Sequence, residues 1–164
     1  MKFKASLDRL TIAITVLVVV VFTIITYEVV LRDHDFSANS LSIVAVMWMV
    51  FIVCYGLHPK AYELQDSSLN ILCPFYSFSY AKKDIQRVRF AGRTEMVATI
   101  RVFGVGGLFG YYGKFYNRTL GWMNWFATQR KNYIILETTG NDKIVLTPDN
   151  AEEFMTALKD YLAK

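Results

Sequence analysis

The sequence predicts a membrane protein in two parts: a transmembrane helix hairpin, then an α+β domain. That domain reads as a bent antiparallel β-barrel or sandwich of about seven strands, capped by a C-terminal helix. Three observations carry the prediction. Two runs without a single charge, Leu10 to Tyr27 and Ser40 to Leu57, fall near the start of the 164-residue chain. Beyond residue 58 come short segments rich in β-branched and aromatic residues, separated by turn residues. The chain ends in an apolar stripe at helical spacing.

The first span reads TIAITVLVVVVFTIITY and extends from about residue 8 to 31. A bilayer needs roughly 20 apolar residues in a helix, a length that core helices seldom reach. Lys2, Lys4 and Arg9 would also suit the basic start of a signal peptide. The run is too long for such a core, a second run follows almost at once, and Ala38-Asn39-Ser40 is a poor cleavage match. The second span, SLSIVAVMWMVFIVCYGL, covers residues 40–57, and RDHDFSANS joins the two. Basic residues in short flanks set orientation. Lys2, Lys4 and Arg9 precede the first span, and Lys60, Lys82 and Lys83 follow the second. The joining loop has only Arg32, beside Asp33 and Asp35. Both termini are therefore expected in the cytoplasm, with the hairpin tip outside. Residues 1–57 form the membrane part and 58–164 a cytoplasmic domain. Cys54 and Cys73 have no partner at a metal or redox spacing and read as small buried hydrophobes.

In the domain, AYELQ, LNILCPF, FSYAKK, IQRVRF, VATIRVF, WMNWFAT, NYIILETT and KIVLTP read as strands. Asp66-Ser67-Ser68 and Thr139-Gly140-Asn141-Asp142 mark turns. Pro148 precedes the last helix, and Asp149 with Glu152 resembles a capping box. Ala151, Phe154, Leu158, Tyr161 and Leu162 form its packing stripe.

The stretch RVFGVGGLFGYYGKFYNRTLG interleaves six glycines with aromatic residues. It is not a dinucleotide loop, because Phe109 stands at the third glycine position, nor a P-loop, because Phe115 follows Gly113-Lys114. The uncharged part is too short to cross a bilayer. Two readings stay open. In one, Gly106, Gly107 and Gly110 bend a bulged hairpin onto the barrel through positive φ. In the other, Phe109, Tyr111, Tyr112 and Phe115 form an exposed tip that meets the headgroup zone or a second copy.

Lys82, Lys83, Arg87, Arg89 and Arg93 fall within twelve positions. On a strand, Arg87 and Arg89 would share a face with Ile85. The cluster reads either as a lipid-facing surface, each charge contributing about 1 kcal/mol near an anionic leaflet, or as a strand edge protected by charge.

The opening YELQDSSLNILCPF, then KKDIQRV, the glycine-aromatic block, ATQRKNYIILETT and the closing IVLTPDNAEEF occur in an order that resembles the bacterial pleckstrin-homology (PH)-like domain family behind two transmembrane helices. The resemblance covers Ala61 to Leu162. It implies a seven-stranded, strongly bent sheet with a C-terminal helical cap, no enzymatic activity and a bacterial cytoplasmic membrane location. Lipid-binding relatives grip inositol phosphates with basic residues in the first hairpin loop. Here that loop is QDSSLN, with Asp66 and no Lys or Arg, so that mode does not carry over.

Catalytic chemistry finds no support. His34 and His58 fall on opposite sides of the membrane, no zinc spacing or nucleophile elbow occurs, and the carboxylates are scattered. The Asn117-Arg118-Thr119 sequon would be idle in the cytoplasm. No enzyme, cofactor, nucleotide or nucleic acid is expected. Two function classes remain: a membrane-anchored interaction or scaffolding module, self-associating or binding another membrane protein, and a reader of anionic headgroups.

Overall fold

A computed structural model describes residues 1–32 and 37–163. The hairpin-tip residues Asp33, His34, Asp35 and Phe36, and with them the expected external side of the tip, lie outside the described residues. Helix α1 (Arg9–Thr26) continues through a π-helical turn over Tyr27–Arg32, and α2 is Ala38–Leu57. Both are long and apolar enough to cross a membrane, and only 6% of either span is buried within the chain. That exposure separates them from the core helix of a soluble domain. Between them Phe22, Trp48 and Phe51 form an aromatic ladder with centroids 5.6–6.1 Å apart, and the Trp48 indole donates to Thr26 Oγ1 at 3.0 Å.

The first strand lies before the helices. Strand β1 (Lys2–Lys4) pairs antiparallel with β2 (Ala61–Leu64), so the residues ahead of α1 belong to the sheet that follows α2. Further bonds stitch this end in place. Ala5 donates to Lys60 O and Asp8 to Thr128 O, and Ser6 donates through N and Oγ to the Asp149 carboxylate at 2.8 and 2.6 Å. Asp8 then caps α1 by accepting from Thr11 N at 2.7 Å. Lys2 and Lys4, expected only as charged flanks, are thus also structural.

Strands β3 (Ser68–Leu72) and β4 (Ser77–Ala81) complete an antiparallel sheet in the order β1-β2-β3-β4. The second sheet holds β5 (Ile85–Ala91), β6 (Thr99–Gly106), β7 (Tyr111–Asn117), β8 (Gly121–Ala127), β9 (Tyr133–Thr138) and β10 (Lys143–Leu146), in the order β5-β9-β10-β8-β7-β6. The expectation of a bent antiparallel barrel or sandwich of about seven strands is corrected in three respects. The described residues form ten strands in two sheets. Neither sheet closes. And β8 and β10 run parallel, because β9 skips a position to pair with β5 and β10 fills the gap. The second sheet is nonetheless strongly bent. Ala91 and the short helix α3 (Arg93–Met96), beyond β5, share a core cluster with Phe115 of β7 and Trp125 of β8. Asn117, the sequon residue, fixes this curl from a buried position. Its amide donates to Glu95 O and Thr99 Oγ1, and its Oδ1 accepts from Thr119 N and Leu120 N.

The main core lies between the sheets and under α4 (Ala151–Ala163). Ala151, Phe154, Met155 and Leu158 are buried, with Tyr161 and Leu162 packed at the margin. Met155 widens the expected stripe. The cap of α4 moves by one residue. Asn150 accepts from Glu153 N and donates to the Glu153 carboxylate at 2.7 Å, while Asp149 is occupied by Ser6 and Gln129. Tyr62 links the two sheets: its hydroxyl donates to Phe126 O at 2.6 Å and accepts from Thr147 N at 3.2 Å.

Candidate functional site

The glycine-aromatic stretch forms the β6–β7 hairpin, with Gly107 to Gly110 as its turn. Gly107 N donates to Gly110 O at 2.7 Å. Gly107 and Gly110 have φ of 126° and 135°, where a side chain is strained, but Gly106 does not share that region. The other positive-φ pair is Gly104 and Gly113, facing each other across the ladder beside a bulge between Arg101 and Phe103. A Cβ on Gly113 would sit 2.8 Å from Gly104 Cα.

The turn docks on the helix pair. Phe109 N donates to Thr15 Oγ1 at 3.1 Å, and a Cβ on Gly107 would meet Ile14 Cδ1 at 2.8 Å. The Phe109 ring lies 5.0 Å from Phe51, 5.4 Å from Tyr55 and 5.6 Å from His58. The Tyr112 hydroxyl donates to Cys54 O at 2.5 Å. Tyr111 and Phe115 turn the other way, into the bend of the second sheet, where Phe115 stacks on Trp125 at 4.5 Å. Tyr111, Tyr112 and Phe115 are buried. Of the two readings left open, the free aromatic tip is not present, because the chain's own helices and sheet take up those rings. The turn is a wedge that continues the helix ladder into the domain.

The basic residues do not form one patch. Lys82 and Lys83 lie on a 3-10 turn beside α4, with the Lys82 ammonium 5.0 Å over the Tyr161 ring. Arg89 forks onto Glu95 with bonds of 2.9 and 2.6 Å, which holds the Glu95 carboxyl below the usual range. Arg93 stands at the far end of β5, on α3. Arg87 is exposed, but it does not share a face with Ile85. A bulge between them turns Ile85 and Val88 toward the main core.

What the second sheet does expose is its last strand. On β6, Ile100, Val102 and Phe103 are 60%, 52% and 77% exposed, and Trp122 of the nearby β8 is 59% exposed. Sequence reasoning missed this surface, since nothing local marks VATIRVF as an edge rather than an interior strand. A second exposed pair, Phe75 and Tyr76, lies on the β3–β4 turn at the end of α2, where Phe75 N donates to Gly56 O at 3.0 Å.

His58, just past α2, is buried and bonded to Tyr55 O through Nδ1. A carbonyl only accepts, so that nitrogen carries the hydrogen, and burial holds the imidazole pKa below its ordinary value. Among the described residues, no three His, Cys, Asp or Glu side chains are grouped to hold a metal ion.

No curated protein matches the chain, and no solved structure does. The family model described as "Bacterial PH domain" matches residues 60–162, from just before β2 to near the end of α4. Strand β1 lies outside that match, an addition made from the far side of the helix pair. With most of its length matched, the chain belongs to the bacterial PH domain family.

Proposed function

We propose that this protein is a non-enzymatic interaction module, anchored by two spans with both termini cytoplasmic, which engages another copy or another membrane protein through the β6 edge. One observation carries the reading. An eight-residue edge strand leaves Ile100, Val102 and Phe103 exposed, with unpaired backbone on its open side. Natural proteins blunt such edges with Lys, Pro or a covering element unless the edge is used. Arg101 is the one charge on this strand. The wedge at Gly107 and the stitched N-terminus support the reading too, because they hold the edge at a fixed height above the bilayer. Phe75 and Tyr76 at the helix exit suit the interfacial belt that aromatic rings favour. The headgroup reading through the β5 basic residues is weaker, since Arg89 is already paired and the others are dispersed.

The test is a photo-crosslinking residue in place of Phe103, in the full chain in native membranes. The same probe at Lys159, on the exposed side of α4, is the control. Specific adducts from position 103 and none from 159 are expected. Absence of adducts at 103, or equal adducts at both, would overturn the reading.

A further inference from the structure

The β3–β4 hairpin is electrically neutral. In a chain that is 20% charged, the stretch from Ser67 to Ala81 holds no Asp, Glu, Lys or Arg, so no ion pair or counter-charge directs its contacts. Cys73 N donates to Tyr76 O at 3.1 Å to close the turn, and the two residues at its tip, Phe75 and Tyr76, are 63% and 60% exposed. Adjacent large rings turned outward on an uncharged hairpin form an apolar patch of the kind that marks a contact site. Where the turn sits decides which contact. Phe75 N donates to Gly56 O at 3.0 Å, one residue before α2 ends. The Phe75 ring occupies the space that a side chain on Gly56 would need, since a Cβ there would overlap Phe75 Cδ2. Its centroid lies 6.4 Å from that of Tyr55, and Ile52, Val53 and Tyr55 of the same helix end are all exposed. On a helix that crosses a membrane, such side chains face lipid. The tip is therefore held level with the last turn of the span, beside its lipid-facing surface.

The tip is also anchored from behind. Tyr76 meets Phe78 edge to face at 5.1 Å, and Phe78 packs on Phe126 of the main core at 4.8 Å. The chemistry selects the occupant. Rings with an apolar body and, in Tyr76, a polar end favour the boundary between headgroups and acyl chains. The hairpin brings no cation to grip an anionic headgroup and no carboxylate that such a headgroup would repel. We infer that the β3–β4 turn is a further membrane contact of this chain, with Phe75 and Tyr76 set in the headgroup–acyl boundary of the bilayer that α1 and α2 cross. This contact rests on the two-span anchor proposed above and adds to it a point of attachment outside the helices, which fixes the tilt of the first sheet over the membrane.

The test uses the full chain, with Cys54 and Cys73 replaced by alanine, in nanodiscs of phosphatidylcholine alone. A cysteine at Ser77, exposed and next to the pair, carries an environment-sensitive fluorophore and leaves both rings in place. Brominated phosphatidylcholine quenches it from the lipid side and iodide from the water side. The same label at Val53, exposed on α2, reports lipid, and at Lys159, exposed on α4, it reports water. Quenching by brominated lipid is expected to be about threefold or more stronger at position 77 than at 159, as an interfacial depth requires. Phe75→Ser with Tyr76→Ser should reduce it at 77 by about twofold or more, raise quenching by iodide there, and leave position 53 unchanged. Quenching at 77 by iodide alone, while 53 responds to brominated lipid, overturns the inference and leaves the spans standing. A position 53 that brominated lipid does not reach overturns the spans and the inference together. A label at 77 that neither quencher reaches means a protein cover, and lipid quenching that survives the double serine variant means a contact made by other residues; each overturns the inference.

Discussion

Phe3 precedes the first span and Phe154 lies on the last helix, yet their rings meet edge to face with centroids 5.0 Å apart. A double-mutant cycle on this pair measures whether the N-terminus belongs to the domain. Phe154 is fully buried and also touches Tyr62 at 5.8 Å, so Phe154→Ala should cost about 3–5 kcal/mol. Phe3 is half-buried. Removing roughly 100 Å² of apolar contact at about 25 cal/mol per Å² gives Phe3→Ala a cost of about 2.5 kcal/mol. The two side chains share one contact, so the double variant should fall short of the sum by about 0.5–1.5 kcal/mol, the coupling of an aromatic pair. The assay is urea unfolding of the full chain in detergent, followed by a domain probe. Strict additivity, or a Phe3→Ala variant as stable as wild type, would refute the placement of β1.

Gly107→Ala should destabilise the wedge through both its φ of 126° and the Ile14 contact, whereas Gly106→Ala meets only the movable Arg101 side chain and should be nearly neutral. Limited proteolysis at the hairpin reads the difference. Tyr62→Phe leaves Phe126 O and Thr147 N unpaired inside the core and should cost about 1–3 kcal/mol in the same urea assay. Burial lowers the His58 pKa, so the unfolded chain binds the proton more readily. Stability should therefore hold above about pH 6.5 and fall as pH drops below it. A His58→Phe variant that keeps the full acid dependence would disprove that assignment.

Much of this architecture was legible in the residues. The two long apolar helices, the strands from β2 to β6 and from β8 to β10, and the helical cap all follow from hydrophobic period and turn chemistry. What escaped has particular causes. Strand β1 is three residues long, and its lysines already satisfied the charge rule for spans. In YYGKFYN the central glycine interrupts the alternation that would mark β7. The parallel pairing of β8 with β10 depends on β9 crossing to β5, a long-range choice without a local signal. The bulge at Gln86 reverses a face assignment that alternation alone makes confidently wrong. Asn150 and Asp149 are both competent caps, and only the presence of Ser6 nearby decides between them. At the candidate site the aromatic residues of the hairpin were found but their direction was not, since burial against the helices is a tertiary fact. The exposed edge comes from the order of the second sheet, which no local pattern encodes.

The central claim is a domain fixed to one end of a membrane-crossing helix hairpin by strands drawn from both sides of it. Thiol labelling from opposite sides of the membrane tests it most directly. In a chain with Cys54 and Cys73 replaced by alanine, single cysteines at Lys2, Phe36 and Lys159 are probed in sealed inverted vesicles with a membrane-impermeant reagent. The account predicts labelling at positions 2 and 159, both exposed on the domain, and protection at position 36 until the vesicles are opened with detergent. Labelling of position 36 in sealed vesicles together with position 159 would contradict it.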